Sequence, residues 1–195
     1  MKRLLSLVCV SMLAIAASAQ ITWNAKAGAG LATLWGSDAD GAKPHFVAKA
    51  GVGIEKPLSA NWSLMPSFEV AWKGFKIDES NFEATADFLY LQIPIVAAYR
   101  LNLSSDWNMT LKAGPYVAYA VYDHYKSLES YGGWSKSSSG STDIKKFDAG
   151  IDVGVDFEYH RFVFGVEGEM GFLSLVGSEA KINNLAFYAT VGYKF

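Results

Sequence analysis

Between residues 23 and 195 one pattern recurs: apolar side chains fall at every second position, in eight separate segments. The last segment shows it plainly. Leu185, Phe187, Ala189, Val191, Tyr193 and Phe195 alternate with Asn184, Ala186, Tyr188, Thr190, Gly192 and Lys194. An extended strand sends successive side chains to opposite faces, so a period of two predicts strands with one greasy face and one small or polar face. The other seven segments cover 23–35, 46–54, 62–72, 89–103, 107–119, 147–159 and 162–172. Strands of soluble proteins average about 5–6 residues. These are about 10 or longer, the length that crosses a bilayer at a tilt.

The connections alternate as well. Short ones fall at 57–61, 104–106 and 160–161; long loops are expected at 36–45, 74–87, 124–146 and 177–183. Backbone groups have no water to bond in lipid, so strands span a membrane only when they close on themselves. The expectation is an all-β fold, an eight-stranded antiparallel up-and-down transmembrane β-barrel. Short turns on one side and long loops on the other match outer-membrane barrels, whose turns face the periplasm.

The amino terminus supplies the export signal such a fold needs. Lys2 and Arg3 precede an apolar run over 4–16, and Ala17-Ser18-Ala19 is a small-residue cleavage site. Residues 1–19 are read as a secretory signal peptide and 20–195 as the barrel domain. Cys9 leaves with the signal, so the mature chain has no cysteine and no disulfide. Mature charge becomes 15 basic to 19 acidic residues, which offers no footprint for nucleic acid. No later stretch carries about 18 consecutive apolar residues, so no transmembrane helix is expected.

A soluble sandwich or lipocalin-like barrel also alternates. Its polar face meets water and should be rich in Lys and Glu. Here that face is studded with glycine at 28, 30, 51, 53, 114, 150, 154, 165, 171 and 192. Small residues suit the crowded inside of a narrow barrel. The apolar face carries Trp23, Trp62 and Trp107 near one set of strand ends and Trp35 and Trp72 near the other. Two aromatic belts are the girdles of a lipid-facing surface. Pro94 and Pro115 conflict with a closed ladder, and one lost hydrogen bond is expected at each.

Tyr90-Leu91-Gln92-Ile93-Pro94, Gly114-Pro115-Tyr116, Asp148-Ala149-Gly150 with Val153-Gly154, and the ending Val191-Gly192-Tyr193-Lys194-Phe195 resemble the PorT-like family of small outer-membrane barrels. The resemblance covers the mature chain. It implies an eight-stranded barrel in the cell outer membrane and no single activity, some members being tied to protein secretion. It also implies that Phe195 ends a signal read by the barrel-assembly machinery.

Eight strands leave an interior just wide enough for side chains to fill. The inward charges are expected at Lys26, Lys49, Glu69, Lys73, Arg100, Lys112, Asp152, Asp156, Glu167 and Glu169, with Glu55 and Glu158 beside them. Unpaired charges there cost several kcal/mol each, so a cross-lumen network is expected, with a gated ion path as the sharper alternative. Glu167 and Glu169 share a face merely because they are two apart, and no nucleophile meets a base near His45, His124 or His160. An enzyme is not expected, nor a metal or cofactor. Tyr125, Tyr131 and Trp134 in the 124–146 loop are the candidate surface contacts. The expected role is structural or adhesive, or support of envelope assembly, with a small channel and a lipid-modifying enzyme as alternatives. The partners expected are outer-membrane lipid, the assembly machinery, and an extracellular or periplasmic protein; a monomer is expected.

Overall fold

The computed structural model describes residues 21–36, 42–79, 82–131, 134–140, 146–173 and 183–195. Ten strands make one antiparallel sheet. They are β1 (Thr22–Trp35), β2 (Ala42–Lys43), β3 (His45–Pro57), β4 (Trp62–Glu79), β5 (Phe82–Asn102), β6 (Trp107–Tyr131), β7 (Trp134–Gly140), β8 (Phe147–Tyr159), β9 (Phe162–Gly171) and β10 (Asn183–Lys194). Eight of them close a ring in the order β1, β3, β4, β5, β6, β8, β9, β10. It closes where β10 pairs β1, from Asn24↔Lys194 to Trp35↔Asn183. The remaining two, β2 and β7, lie above the ring on β4 and β6.

Parity decides the facing. Trp23, Val52, Phe68, Val153, Val166 and Phe187 are exposed on the outer wall. Their neighbours Glu69, Asp152, Glu167 and Tyr188 are buried inside. Near the short turns Trp62 packs on Tyr99 at 5.1 Å and Trp107 on Tyr159 at 4.9 Å. At the far end Phe46 meets Trp72 edge-on at 6.4 Å. Trp62 and Trp72 lie ten residues apart on β4, a height of about 25 Å once strand tilt is allowed for. That is the thickness of the apolar band of an outer-membrane barrel.

The inward glycines have a steric cause. A Cβ on Gly30 would lie 1.7 Å from the Phe187 carbonyl oxygen, and one on Gly114 would lie 2.2 Å from that of Ile95. No real side chain tolerates either approach, so the tight inner curve of the wall excludes one at these two positions.

The prolines interrupt ladders without ending strands. The β4–β5 register passes from Pro66↔Ile95 to Glu69↔Gln92, skipping the stretch opposite Ile93 and Pro94. The β5–β6 register passes from Pro94↔Tyr116 to Ala97↔Ala113, skipping Gly114 and Pro115. Pro66 does the same to β3–β4, between Gly53↔Ser67 and Lys56↔Leu64. Pairing on the other side of each proline keeps the phase of alternation.

Two expected loops are not loops. The stretch 74–87 continues β4 and β5 as a paired hairpin out to Glu79↔Phe82. The stretch 124–146 continues β6 to Tyr131 and returns as β7, paired from Tyr125↔Gly140 to Tyr131↔Trp134. Serine and lysine at 135–139 supply no apolar alternation, so these strands leave no period-two signal in the sequence. Strands β2, β4, β5, β6 and β7 therefore project as one sheet beyond the wall, on the side away from the short turns. Residues 1–20, including the expected signal, lie outside the described residues.

Candidate functional site

The lumen is stacked in three layers, each built where inward positions of several strands reach the same height. Nearest the short turns, Arg100 Nη2 on β5 donates to Glu55 Oε1 on β3 at 2.8 Å and lies 3.2 Å from Glu158 Oε2 on β8. Lys194 on β10 reaches the same two carboxylates, at 2.7 and 2.6 Å. The Ser63 and Thr110 hydroxyls donate to Glu55 and Glu158, each at 3.0 Å. Two cations and two anions balance in this layer.

The middle layer holds four ammonium groups and five carboxylates. Lys49 on β3 is its hub: its Nζ lies 2.7 Å from Glu169, 3.4 Å from Glu69 and 4.0 Å from Asp152, and it also pairs with Glu167. Lys26 on β1 bridges Glu167 at 2.7 Å and Glu69 at 3.2 Å. Lys112 on β6 pairs Asp156 at 2.6 Å and also Glu167. Lys73 on β4 donates to Gln92 Oε1 at 2.8 Å and pairs Glu169, to which Gln92 also donates at 2.9 Å. Asp152 is the least served member, with Lys49 alone at the edge of pairing distance.

Above the middle layer the lumen becomes mostly aromatic and aliphatic, with the Asp148 carboxylate and Asn184 buried among these groups. Tyr90, Tyr116 and Phe88 pack with Leu34 and with Ala71, Ala86, Ala118 and Ala120. Tyr188 packs beside Val47, Ala32 and Ala186. This upper plug departs from the expected wholly polar lumen. The tyrosines join the two regimes: Lys73 Nζ sits 4.7 Å from the Tyr116 ring centre and Lys49 Nζ 4.6 Å from that of Tyr188. The Tyr116 hydroxyl donates to Asp148 Oδ2 at 3.1 Å. Between the turn-side quartet and the middle layer lies a cavity of about 40 Å³ lined in part by Asn24, Ser67, Asp156 and Thr190. It has room for water and for nothing larger.

Of the ten charged positions, eight are buried, and Lys26 and Arg100 keep partial access, at 19% and 33% of their side-chain area. Lys194, Gln92, Asp148 and the three tyrosines belong to the same assembly, and the sequence alone did not single them out. Their signal was parity: each sits in phase with a charged or glycine position. Phe195 ends against the outer wall, with its ring 5.3 Å from Tyr193 and its N–H donating to the Trp23 carbonyl at 2.8 Å. Tyr125, Tyr131 and Trp134 have strand backbone in β6 and β7, and their side chains lie outside the described residues.

The histidines are scattered. His45 at the outer rim bonds Asp87 at 3.0 Å, and His124 stacks on Tyr122 nearby. His160 forms the two-residue turn between β8 and β9, with a φ of 54°, and packs on Tyr159. Among the described residues no group of three or more His, Cys, Asp or Glu side chains is arranged so that it could hold a metal ion.

A family model described as an outer membrane protein beta-barrel domain matches residues 17–177. No curated protein matches the chain. Similar solved structures include Ail, the attachment invasion locus protein of Yersinia pestis, at 16% identity and a TM-score of 0.42, covering 89% of this chain and 98% of that one. Neisserial surface protein A is similar at 14% identity and a TM-score of 0.50, covering 89% and 97%. The N-terminal barrel of Pseudomonas aeruginosa OprF is similar at 10% identity and a TM-score of 0.38, covering 91% and 98%.

Proposed function

Since the chain belongs to the family of outer membrane protein beta-barrel domains, we propose that it is a non-conducting anchor in the outer membrane whose working surface is the sheet projecting from its rim. The observation carrying this reading is that β4 to β7 run past the aromatic belt as paired strands, although no lipid or core demands it. Among the described residues β7 pairs only with β6. Such an edge presents unpaired N–H and C=O groups to which an extended segment of another protein adds as a further strand.

The role is structural or adhesive, or supports assembly at the envelope. Its partners are outer-membrane lipid around the wall, the assembly machinery reading the strand that ends at Phe195, and one protein on the rim. Two features speak against the channel alternative: the turn-side charge quartet and the tyrosine plug each close the lumen. The lipid-modifying alternative lacks support, since His45 and His160 stand at opposite ends of the barrel.

Two measurements test the reading together. In planar bilayers the folded protein is expected to stay silent. Cells displaying it should attach to a protein-coated surface, and replacing residues 126–139 by a two-residue turn should cut attachment at least tenfold while the barrel keeps its heat-modifiable gel mobility. Stepwise conductance from the parent, or attachment unchanged by the shortening, overturns it.

A further inference from the structure

The middle layer of the lumen is one positive charge short: four ammonium groups face five carboxylates, while the turn-side quartet balances itself. Among the described residues no further lysine or arginine is buried at that height. A charge taken out of water is stable only when it is paired or binds a metal ion. The surplus therefore calls for a counter-ion, and the cavity of about 40 Å³ beside the layer is where one fits.

Asp152 and Asp156 of β8 both line that cavity, with Gly154 between them along the strand. They are 2% and 3% exposed, and each keeps its Oδ1 without a hydrogen-bond partner. Glu69 borders the same space but is served by Lys26 at 3.2 Å and Lys49 at 3.4 Å. Asp156 Oδ1 leans over Gly165 of β9 toward Thr190 of β10: a Cβ on that glycine would lie 2.1 Å from it and 2.8 Å from Thr190 Oγ1. Ser67, also in the lining, donates to Glu69 Oε1 at 2.9 Å, so its oxygen offers lone pairs to anything else. Pro66 and Pro94 complete the wall where the β4–β5 register skips, and each brings a carbonyl with no N–H. Oxygen acceptors thus line the cavity from β4, β8 and β10. Lys26, Lys112 and Lys194 border it as well, and each is already held between two carboxylates.

We propose that this cavity binds one sodium-sized monovalent cation, with Asp152 Oδ1 and Asp156 Oδ1 as its anionic ligands and the Thr190 hydroxyl oxygen as a neutral one. The charge to be met is one, so a monovalent ion balances the layer and a divalent ion would overcharge it. Calcium takes about 6–8 oxygen ligands, and among the described residues no third acidic side chain joins the two aspartates in a metal-holding group. The space admits nothing larger than water, so organic cations stay out. The ion completes the network without opening a path, since the quartet below it and the tyrosine plug above it stay in place. What the rim sheet binds is a separate matter.

An ion that binds the folded barrel and not the unfolded chain raises stability with its concentration. In lipid vesicles at fixed pH, with choline chloride replacing sodium chloride so that ionic strength is constant, the urea midpoint should rise with sodium. Asp152→Asn and Asp156→Asn should each abolish the rise, whereas Asp148→Asn, a lumen carboxylate outside the cavity, should keep it. Thr190→Val should move the half-effect concentration up about tenfold by removing one ligand oxygen. Equilibrium dialysis of the folded parent against radioactive sodium needs no variant, and one ion retained per barrel is expected. Equal midpoints in the two salts, a rise that survives both Asp152→Asn and Asp156→Asn, or no retained sodium overturns the site. So does a midpoint blind to sodium that climbs on acidification, which would assign the missing charge to a proton.

Discussion

Val153 and Asp152 are neighbours on β8 and live in opposite solvents. Val153 is 47% exposed on the wall, where lipid accepts any apolar shape. Asp152 is 2% exposed in the lumen, where each group depends on partners on other strands, Lys49 of β3 in its own case. The wall is held together by composition and the lumen by particular partners. Tolerance to substitution should therefore differ by chemistry on the wall and by connectivity inside.

The largest break of that contrast is Lys49→Met. Four carboxylates share this ammonium group, and stripping a buried cluster of its cation costs about 3–5 kcal/mol. Urea unfolding in lipid vesicles, followed by tryptophan fluorescence, reads the loss. Val153→Arg puts a charge near mid-bilayer and should cost about 2–4 kcal/mol in the same assay. If Lys49→Met proves milder than Val153→Arg, the lumen is held by packing and its charges are incidental. Asp152→Asn should cost under about 1 kcal/mol, since it removes the surplus carboxylate of a layer with five anions and four cations. A loss as great as that of Val153→Arg would mean that this carboxylate is an essential partner. The smallest effect belongs to Val166→Leu, apolar for apolar against lipid, expected within about 0.5 kcal/mol of zero.

Legibility followed the same division. The wall could be read directly, because the period of two sorts residues by face without knowledge of any partner. Which residues face inward was equally readable; which pairs they form was not. Lys26 and Glu167 are 141 residues apart and meet because the tilt of the closed wall brings β1 and β9 to one height. Lys194 was placed on the polar face, yet a lysine one residue from the end gave no sign that it would meet Glu55 and Glu158. The projecting sheet was misread as loops. Hydrophobic alternation reports contact with lipid or core, and the run 135–140 carries none of it.

By itself the amino-acid sequence determined a barrel of eight crossing strands, their number, their facing and the side on which the short turns lie, because burial against lipid writes its period into local composition. Tertiary structure alone decided the three-layered lumen and the sheet above the rim. Each of these depends on register and strand tilt around a closed ring, and a strand's own residues carry no record of the height at which its neighbours arrive.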